Sequence, residues 1–243
     1  MTRFFVDRDT FLSDTPLLTG ENGKHASVLR LKAGEQIILC DGTGQERLCR
    51  VLSTNPGQTA VEPEPVRPAS TESRVWVSVY MAYPKADKLE HVIQKATELG
   101  AGEIVAFPSA RCVSRPEEKS LAKKLERWQK IAQSAAEQSG RGRIPQVVLL
   151  KSWREALNRA GKADRAILFY EHEEACTLSA VLASGNYASV SLLTGPEGGL
   201  EEREVEEARA AGLTVCTLGS RILRCETAPL CALSAVMYAS GEF

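Results

Sequence analysis

Two short loops in this sequence bring together the residue types that chemistry needs. The first lies in "SLLTGPEGGLEEREVEEA", residues 191–208, where a Gly-Pro-Glu-Gly-Gly turn follows an apolar run, in a stretch that carries six glutamates. The second is "LGSRILRCETAPLCALSAV", residues 218–236, where Arg221 and Arg224 stand between a strand end at Leu218-Gly219 and an apolar helix beginning at Glu226-Thr227. A glycine-rich turn between strand and helix commonly cradles a nucleotide. A phosphate loop, however, needs Gly-Lys-Ser/Thr at its end, and "TGPEGGLEER" has neither the lysine nor the hydroxyl; a Gly-x-G-x-x-Gly dinucleotide turn is also absent. Glu197, Glu201, Glu202 and Glu204 would repel a triphosphate at close range. The glycines still allow a flat ring to approach the backbone. The loop therefore suits an adenosine-type ligand without phosphates and tolerates a cationic one. The blander role of the glutamates is to favour a helix start through its dipole, and Thr227 or Cys225 can cap one. An arginine held at a strand end in a cleft can instead stabilise negative charge on a reacting group.

These loops need a scaffold. Beyond residue 73, strand-like runs ("RVWVSVYMA", "EIVAFPS", "PQVVLLK", "RAILFYE", "ASVSLLT", "LTVCTLG") alternate with helical stretches, ending in "ETAPLCALSAVMYAS". Continuous apolar strands in that alternation predict an α/β fold with a parallel sheet covered on both faces. Ligands of such sheets lie outside the carboxyl ends of the strands, where both loops fall. Tyr170 and Glu171 close the "ILFYE" strand at the same edge. The earlier part of the chain has a different rhythm. "RFFV", "EQIILCDGTGQERLCRVLS" and "QTAVEPEPV" read as short strands, with a hairpin at Asp41-Gly42-Thr43-Gly44 and one helix near "GKHASVLRL". This predicts a small β-barrel of about five strands or more. The proline- and serine-rich "EPEPVRPASTES" lacks periodicity, so we place a first domain at 1–68, a linker at 69–73 and a second domain at 74–243.

The 243 residues, 43% hydrophobic and 25% charged, suit one or two globular domains. No apolar run reaches the length of a membrane span, and "MTRFFVDRDT" does not read as a signal peptide, so a cytoplasmic location is expected. Seven scattered cysteines, several in apolar runs, without zinc spacing, read as reduced thiols rather than metal ligands. A net charge of −1 hides an asymmetry: Arg111–Arg165 holds 14 Lys/Arg against 6 Asp/Glu, and Glu171–Glu207 holds 9 Asp/Glu against Arg203 alone. The basic segment either contacts a polyanion or forms a solvated helix face.

"LLTGPEGGL", followed about twenty residues later by "LGSRILRCETAPLCAL", resembles the signature of the SPOUT methyltransferases. More narrowly, the chain resembles the bacterial 16S ribosomal RNA uridine N3-methyltransferase family. The likeness extends to "RFFV", "HASVLRLKAGE", "KADKLEHVIQKATELGAGEIVAF" and "AAEQSGRGRIPQV". It implies a PUA-like RNA-binding barrel followed by a SPOUT-type parallel sheet whose last part threads a trefoil knot, a topology that general rules would exclude. It also implies S-adenosylmethionine as cofactor with no metal, a homodimer, and 16S ribosomal RNA of the small subunit as partner. Carried over by position, cofactor contacts fall on Leu193, Thr194, Gly195, Glu197, Gly198, Gly199, Leu218, Gly219, Ile222 and Leu223, with Tyr170 and Glu171 as further candidates. Where relatives commonly have "RTETA", this chain has "RCETAP"; Arg224, Glu226 and Thr227 are kept.

Methylating uridine N3 requires an aligned in-line displacement and removal of the imide proton. A fixed guanidinium would favour the resulting anion. Arg224 is assigned that role, with Glu226 orienting or accepting the proton. The base must be exposed from its pair, and the RNA held by phosphate contacts. Candidates are Arg3, Arg8, Lys24, His25, Arg30, Lys85, Lys88, Arg111, Arg141 and Arg143. His25 has a surface or capping role as its alternative, and Lys88 and Lys95 have pairing with glutamates along their helix, Glu98 among them. Two other functions fit the fold: an RNA-binding assembly factor without catalysis, and an enzyme using a phosphorylated nucleotide.

Overall fold

The computed structural model describes residues 1–114, 118–183 and 186–243. The chain divides into two units, Met1–Glu72 with Ala136–Ile144, and Ser73–Ala135 with Pro145–Phe243.

The first unit contains β1 (Arg3–Phe5), α1 (Arg8–Leu12), β2 (Leu17–Leu18), α2 (Gly20–Val28), β3 (Gln36–Cys40), β4 (Gln45–Asn55), β5 (Gln58–Pro63) and β6 (Arg67–Pro68). Its sheet runs β1-β3-β4-β5-β2, with β6 on β4; β1 pairs β3 in parallel and the other pairings are antiparallel. The expected hairpin joins β3 to β4. Asp41 Oδ1 accepts from the backbone N–H groups of Thr43 (2.8 Å) and Gln45 (3.2 Å), while Gly42 and Gly44 take φ of +78° and +105°. Phe4, Phe11, Leu18, Ile37, Leu39, Val51 and Val61 form the core. Helix α1 was not expected. It is only five residues long, and its one signal is Asp7, whose side chain accepts from Thr10 N at 2.9 Å.

Residues 136–144 join this unit, although they follow the linker by more than sixty residues. The cause is Glu72. Its Oε1 accepts from the backbone N–H groups of Gly142 (2.9 Å) and Arg143 (3.1 Å), and its Oε2 pairs with Arg141 Nη2 (2.7 Å). Gly142 is required there, because a Cβ would collide with that of Ala69.

The second unit contains β7 (Trp76–Ala82), α3 (Lys88–Glu98), β8 (Glu103–Phe107), α4 (Glu118–Ser139, its last turn in the first unit), β9 (Gln146–Leu149), α5 (Trp153–Ala160), β10 (Arg165–Phe169), α6 (Leu178–Leu182), β11 (Ser189–Thr194), α7 (Glu202–Ala210), β12 (Thr214–Cys216) and α8 (Thr227–Ala239). The sheet is parallel throughout, in the order β12-β10-β11-β7-β8-β9, as its uninterrupted apolar strands predict. Trp153, Leu157, Val205 and Ala208 of α5 and α7 pack with Tyr80, Phe107, Leu168 and Leu193. Helix α8 packs on β7, β11 and α3. Register places Phe169 beside Cys216 and Leu168 beside Leu193, so β12, β10 and β11 end in one row. Among the described residues no helix is long and apolar enough to cross a membrane.

At Gly23 in α2, a Cβ would collide with the backbone carbonyl oxygen of Gly57, which cannot rotate away. Gly23→Ala is expected to cost about 1–3 kcal/mol of stability, read as a lower urea midpoint.

Candidate active site

The level ends of β12, β10 and β11 gather three loops around a cavity of about 740 Å³. Tyr170, Glu171, Thr194, Gly195, Glu197, Gly199, Leu218, Gly219, Ile222, Leu223 and Arg224, expected from the sequence, all line it. Leu193, Gly198 and Glu226 do not. The Leu193 side chain is fully buried in the sheet core, which leaves only its backbone for a ligand, and the Gly198 carbonyl accepts from Arg111 Nη1 at 3.1 Å.

The glycines shape the floor. Gly199 N–H donates to Pro196 O (3.0 Å), closing a tight turn with Gly199 at φ +69°; a Cβ there would strike Glu171 Oε1. Thr194 Oγ1 donates to Tyr80 O at 3.2 Å and anchors the strand end. The acidic sequel starts α7, as the dipole argument expects: Glu204 accepts from Glu201 N (2.9 Å) and also from Ala110 N (2.8 Å), so it ties a neighbouring loop as well.

Lys88, expected at an RNA surface or paired along its own helix, instead lines the cavity with its side chain 27% exposed. Its Nζ lies 3.1 Å from Glu197 Oε1 and 3.1 Å from Glu226 Oε2. The Lys85 backbone N–H also donates to Glu197 (2.9 Å), and Cys225 Sγ donates to Glu226 (3.2 Å). Burial opposes ionisation of both carboxyls, but backbone N–H groups and the Lys88 ammonium outweigh it and hold both below their ordinary range. Their hydrogen bonds, Glu226 first, raise the pKa of Lys88. Burial, then the bond to Glu226, pushes the Cys225 thiol up to about 12. Arg224 is exposed, and its guanidinium makes no hydrogen bond or ion pair with the described residues, so it is available to a ligand. Lining residues that sequence reasoning did not place there include Lys88, Glu173, Glu174 and Thr177. They come from connections far apart in the chain, and no local motif marks them.

The expected RNA contacts separate into classes. Arg8, Lys24, Arg30 and Lys85 are exposed, and their charged groups form no ion pair with the described residues. His25 is exposed and meets Phe4 edge-on at 5.4 Å. Arg143 is partly buried near Glu72, and Arg111 bonds the Gly-Pro-Glu-Gly-Gly turn. Arg3 and Arg141 lie inside the first unit, 9% and 4% exposed. Arg3 Nη1 pairs with Glu46 Oε2 at 2.6 Å, and Arg141 is held by Glu72, so their charges serve the unit's interior rather than a polyanion. Lys95 pairs with Glu98 at 2.8 Å along α3, its bland reading. Arg3→Met is expected to cost about 3 kcal/mol in urea unfolding, because Glu46 is left with the half-exposed Arg67; the salt dependence of RNA binding should not change.

Residues 71–237 match the RNA methyltransferase domain family, and residues 18–64 match the RNA methyltransferase PUA domain. The chain is 38% identical to the ribosomal RNA small subunit methyltransferase E of Bacillus subtilis (strain 168), over 98% of this chain and 96% of that one. With the enzyme of the same name from Mycobacterium bovis, identity is 35% over 96% and 90% of the two chains. The Neisseria gonorrhoeae ribosomal RNA small subunit methyltransferase E, crystallised with S-adenosyl methionine, superimposes with a TM-score of 0.86 at 33% identity, covering 98% and 97% of the two chains. A parallel sheet with a glycine-turned cleft at its carboxyl edge, a β-rich unit matching a PUA domain and relatives aligned over nearly their whole length agree on one conclusion: the chain belongs to the ribosomal RNA small subunit methyltransferase E family.

Proposed function

We propose that the protein transfers a methyl group from S-adenosylmethionine to N3 of one uridine in 16S ribosomal RNA of the small subunit. The observation that carries this reading is the cleft itself, which offers glycine backbone and carboxylates where a phosphate site would offer a lysine and a hydroxyl. Its residues fit the cofactor. Gly195, Gly199 and Gly219 present backbone without side chains, and Glu171 is an acid beside Gly199 that suits a cationic ligand. Tyr170, Leu218, Ile222 and Leu223 offer apolar walls for a purine and ribose, while Leu193 and Gly198 contribute through backbone alone.

When bound, the cofactor supplies an activated methyl group on a sulfonium. The chain's own residues do the rest. Arg224, unpaired at the rim, holds the negative charge that uridine N3 develops as it loses its proton. Glu226, kept ionised and tied to Lys88, orients this segment; a carboxylate so neutralised is a weak base, which favours orientation over proton acceptance. Arg8, Lys24, His25, Arg30, Lys85, Arg111 and Arg143 remain the candidates for RNA contact, from phosphate-level attraction that positions without reading sequence.

Three finer features belong to the same proposal. The domains are a PUA-like barrel at 1–68, completed by 136–144, and a SPOUT domain from residue 74. The chain leaves β12 at the sheet edge and returns as α8 to pack on β7, β11 and α6; the connection from β10 to β11 carries α6, and this return supports a trefoil knot. The protein acts in the cytoplasm as a homodimer, in which a second copy covers apolar side chains such as Ile222, 84% exposed beside the cleft.

Small-subunit RNA from a strain lacking this protein should miss one N3-methyluridine, and the purified protein with S-adenosylmethionine should restore it, as read by mass spectrometry of nuclease fragments; an unrestored site would leave the assembly-factor reading. Arg224→Ala is expected to lose about 100-fold or more in methylation rate. S-adenosylhomocysteine should still raise the Tm of both wild type and variant, while ATP should raise neither.

A further inference from the structure

We propose that Lys88 is a positioning residue for methyl transfer, whose ammonium locks the Gly-Pro-Glu-Gly-Gly turn to the Arg-Cys-Glu-Thr segment and thereby fixes Arg224 at the cleft. The inference rests on the methyltransferase reading and goes beyond it, since neither the loops nor their spacing point to a residue of α3. Three connections meet at one nitrogen. Lys88 opens α3, Glu197 belongs to the loop after β11, and Glu226 stands at the start of α8. Glu197 is held twice, by the Lys85 backbone N–H of the loop after β7 and by the Lys88 ammonium at the start of α3. Between those two residues Ala86 takes φ +55°, a conformation that costs a side-chain-bearing residue energy and that the surrounding contacts must hold.

The charges explain why the lock must be a cation. Glu197, Glu226 and the Cys225 thiol face Lys88, which lies 3.7 Å from Cys225 Sγ. Both carboxylate oxygens sit within 3.1 Å of the same nitrogen, so removing it would leave two anions facing each other. They would then either part, moving the turn and Arg224, or share a proton. One residue beyond Arg224 the thiol is buried and bonded to Glu226, so the guanidinium is tethered to the lock through a single residue.

The test compares Lys88→Met and Lys88→Arg with wild type in three measurements. In the first, kcat for small-subunit RNA should fall about 10- to 100-fold in Lys88→Met near neutral pH, with KM for RNA little changed. The deficit should shrink as pH falls, because the orphaned carboxyls take up a proton that substitutes for the ammonium. Lys88→Arg should restore most of the rate. In the second, affinity for S-adenosylhomocysteine, measured by calorimetry, should drop in Lys88→Met and recover in Lys88→Arg. The third needs no ligand: a carboxyl whose folded pKa is raised stabilises at low pH and is lost as pH rises through that value, so the Tm of Lys88→Met should approach that of wild type as pH falls. Wild-type kcat and affinity in Lys88→Met at every pH would overturn the proposal. So would a loss that is the same at every pH and is not reversed by arginine, since that marks a merely structural side chain. If wild type methylates no RNA, the functional reading fails, and the pH dependence of Tm still decides whether Lys88 holds the two carboxylates together.

Discussion

Three parallel strands that stop at the same level set the terms for the rest of the molecule. A parallel ladder leaves its last carbonyls and amides without strand partners, and each buried backbone group needs another one. At Phe169 and Cys216 the need is met by the residues that follow, and at Thr194 the side chain adds a bond to the neighbouring strand. Tyr170 N donates to Cys216 O, Thr217 N to Cys176 O, and the Thr194 hydroxyl to Tyr80 O. The first two bonds draw the connections after β10 and β12 together, and with the loop after β11 they border a concavity. The cleft is thus what remains when a sheet edge satisfies its own hydrogen bonds, and the glycines keep it from being filled.

Charge is placed with similar economy. The acids of this edge divide by partner: Glu204 serves the start of α7, Glu173 pairs with Arg209 at 2.7 Å, and Glu197 and Glu226 share Lys88. Glu171 and Glu174 line the cleft without an ion pair to the described residues, and so do Arg221 and Arg224. A site lined by both unpaired carboxylates and unpaired guanidiniums has polarity, so it can hold a cationic donor and an anionic acceptor at different points of one cavity.

Much of this was legible in the sequence. The strands of the second unit announce themselves because both faces are covered, so their residues run apolar without interruption, and the two loops are contiguous motifs whose glycines and arginine sit in place. What stayed hidden was pairing over distance. Arg3 and Arg141 look like surface arginines because their acids, Glu46 and Glu72, lie 43 and 69 residues away. Lys88 reads as a member of an amphipathic helix, yet it reaches Cys225 across 137 residues. Nor does any local signal mark residues 136–144 as belonging with the first unit, since the end of α4 keeps its helical period up to Ser139. Periodicity reports which face is buried, not which neighbour buries it.

Glu72 carries a consequence for the order in which the molecule can be made. The loop it gathers, Arg141 to Arg143, is synthesised long after the strands it completes. A nascent chain that has exposed β1 to β6 therefore holds an unfinished N-terminal unit, with the Glu72 carboxylate lacking its arginine and Ala69 lacking its glycine neighbour. The unit closes only after α4 has emerged, so its completion waits for the first strands and helices of the sheet domain. Translation thus couples two structural units that a boundary drawn at residue 72 would have folded one after the other.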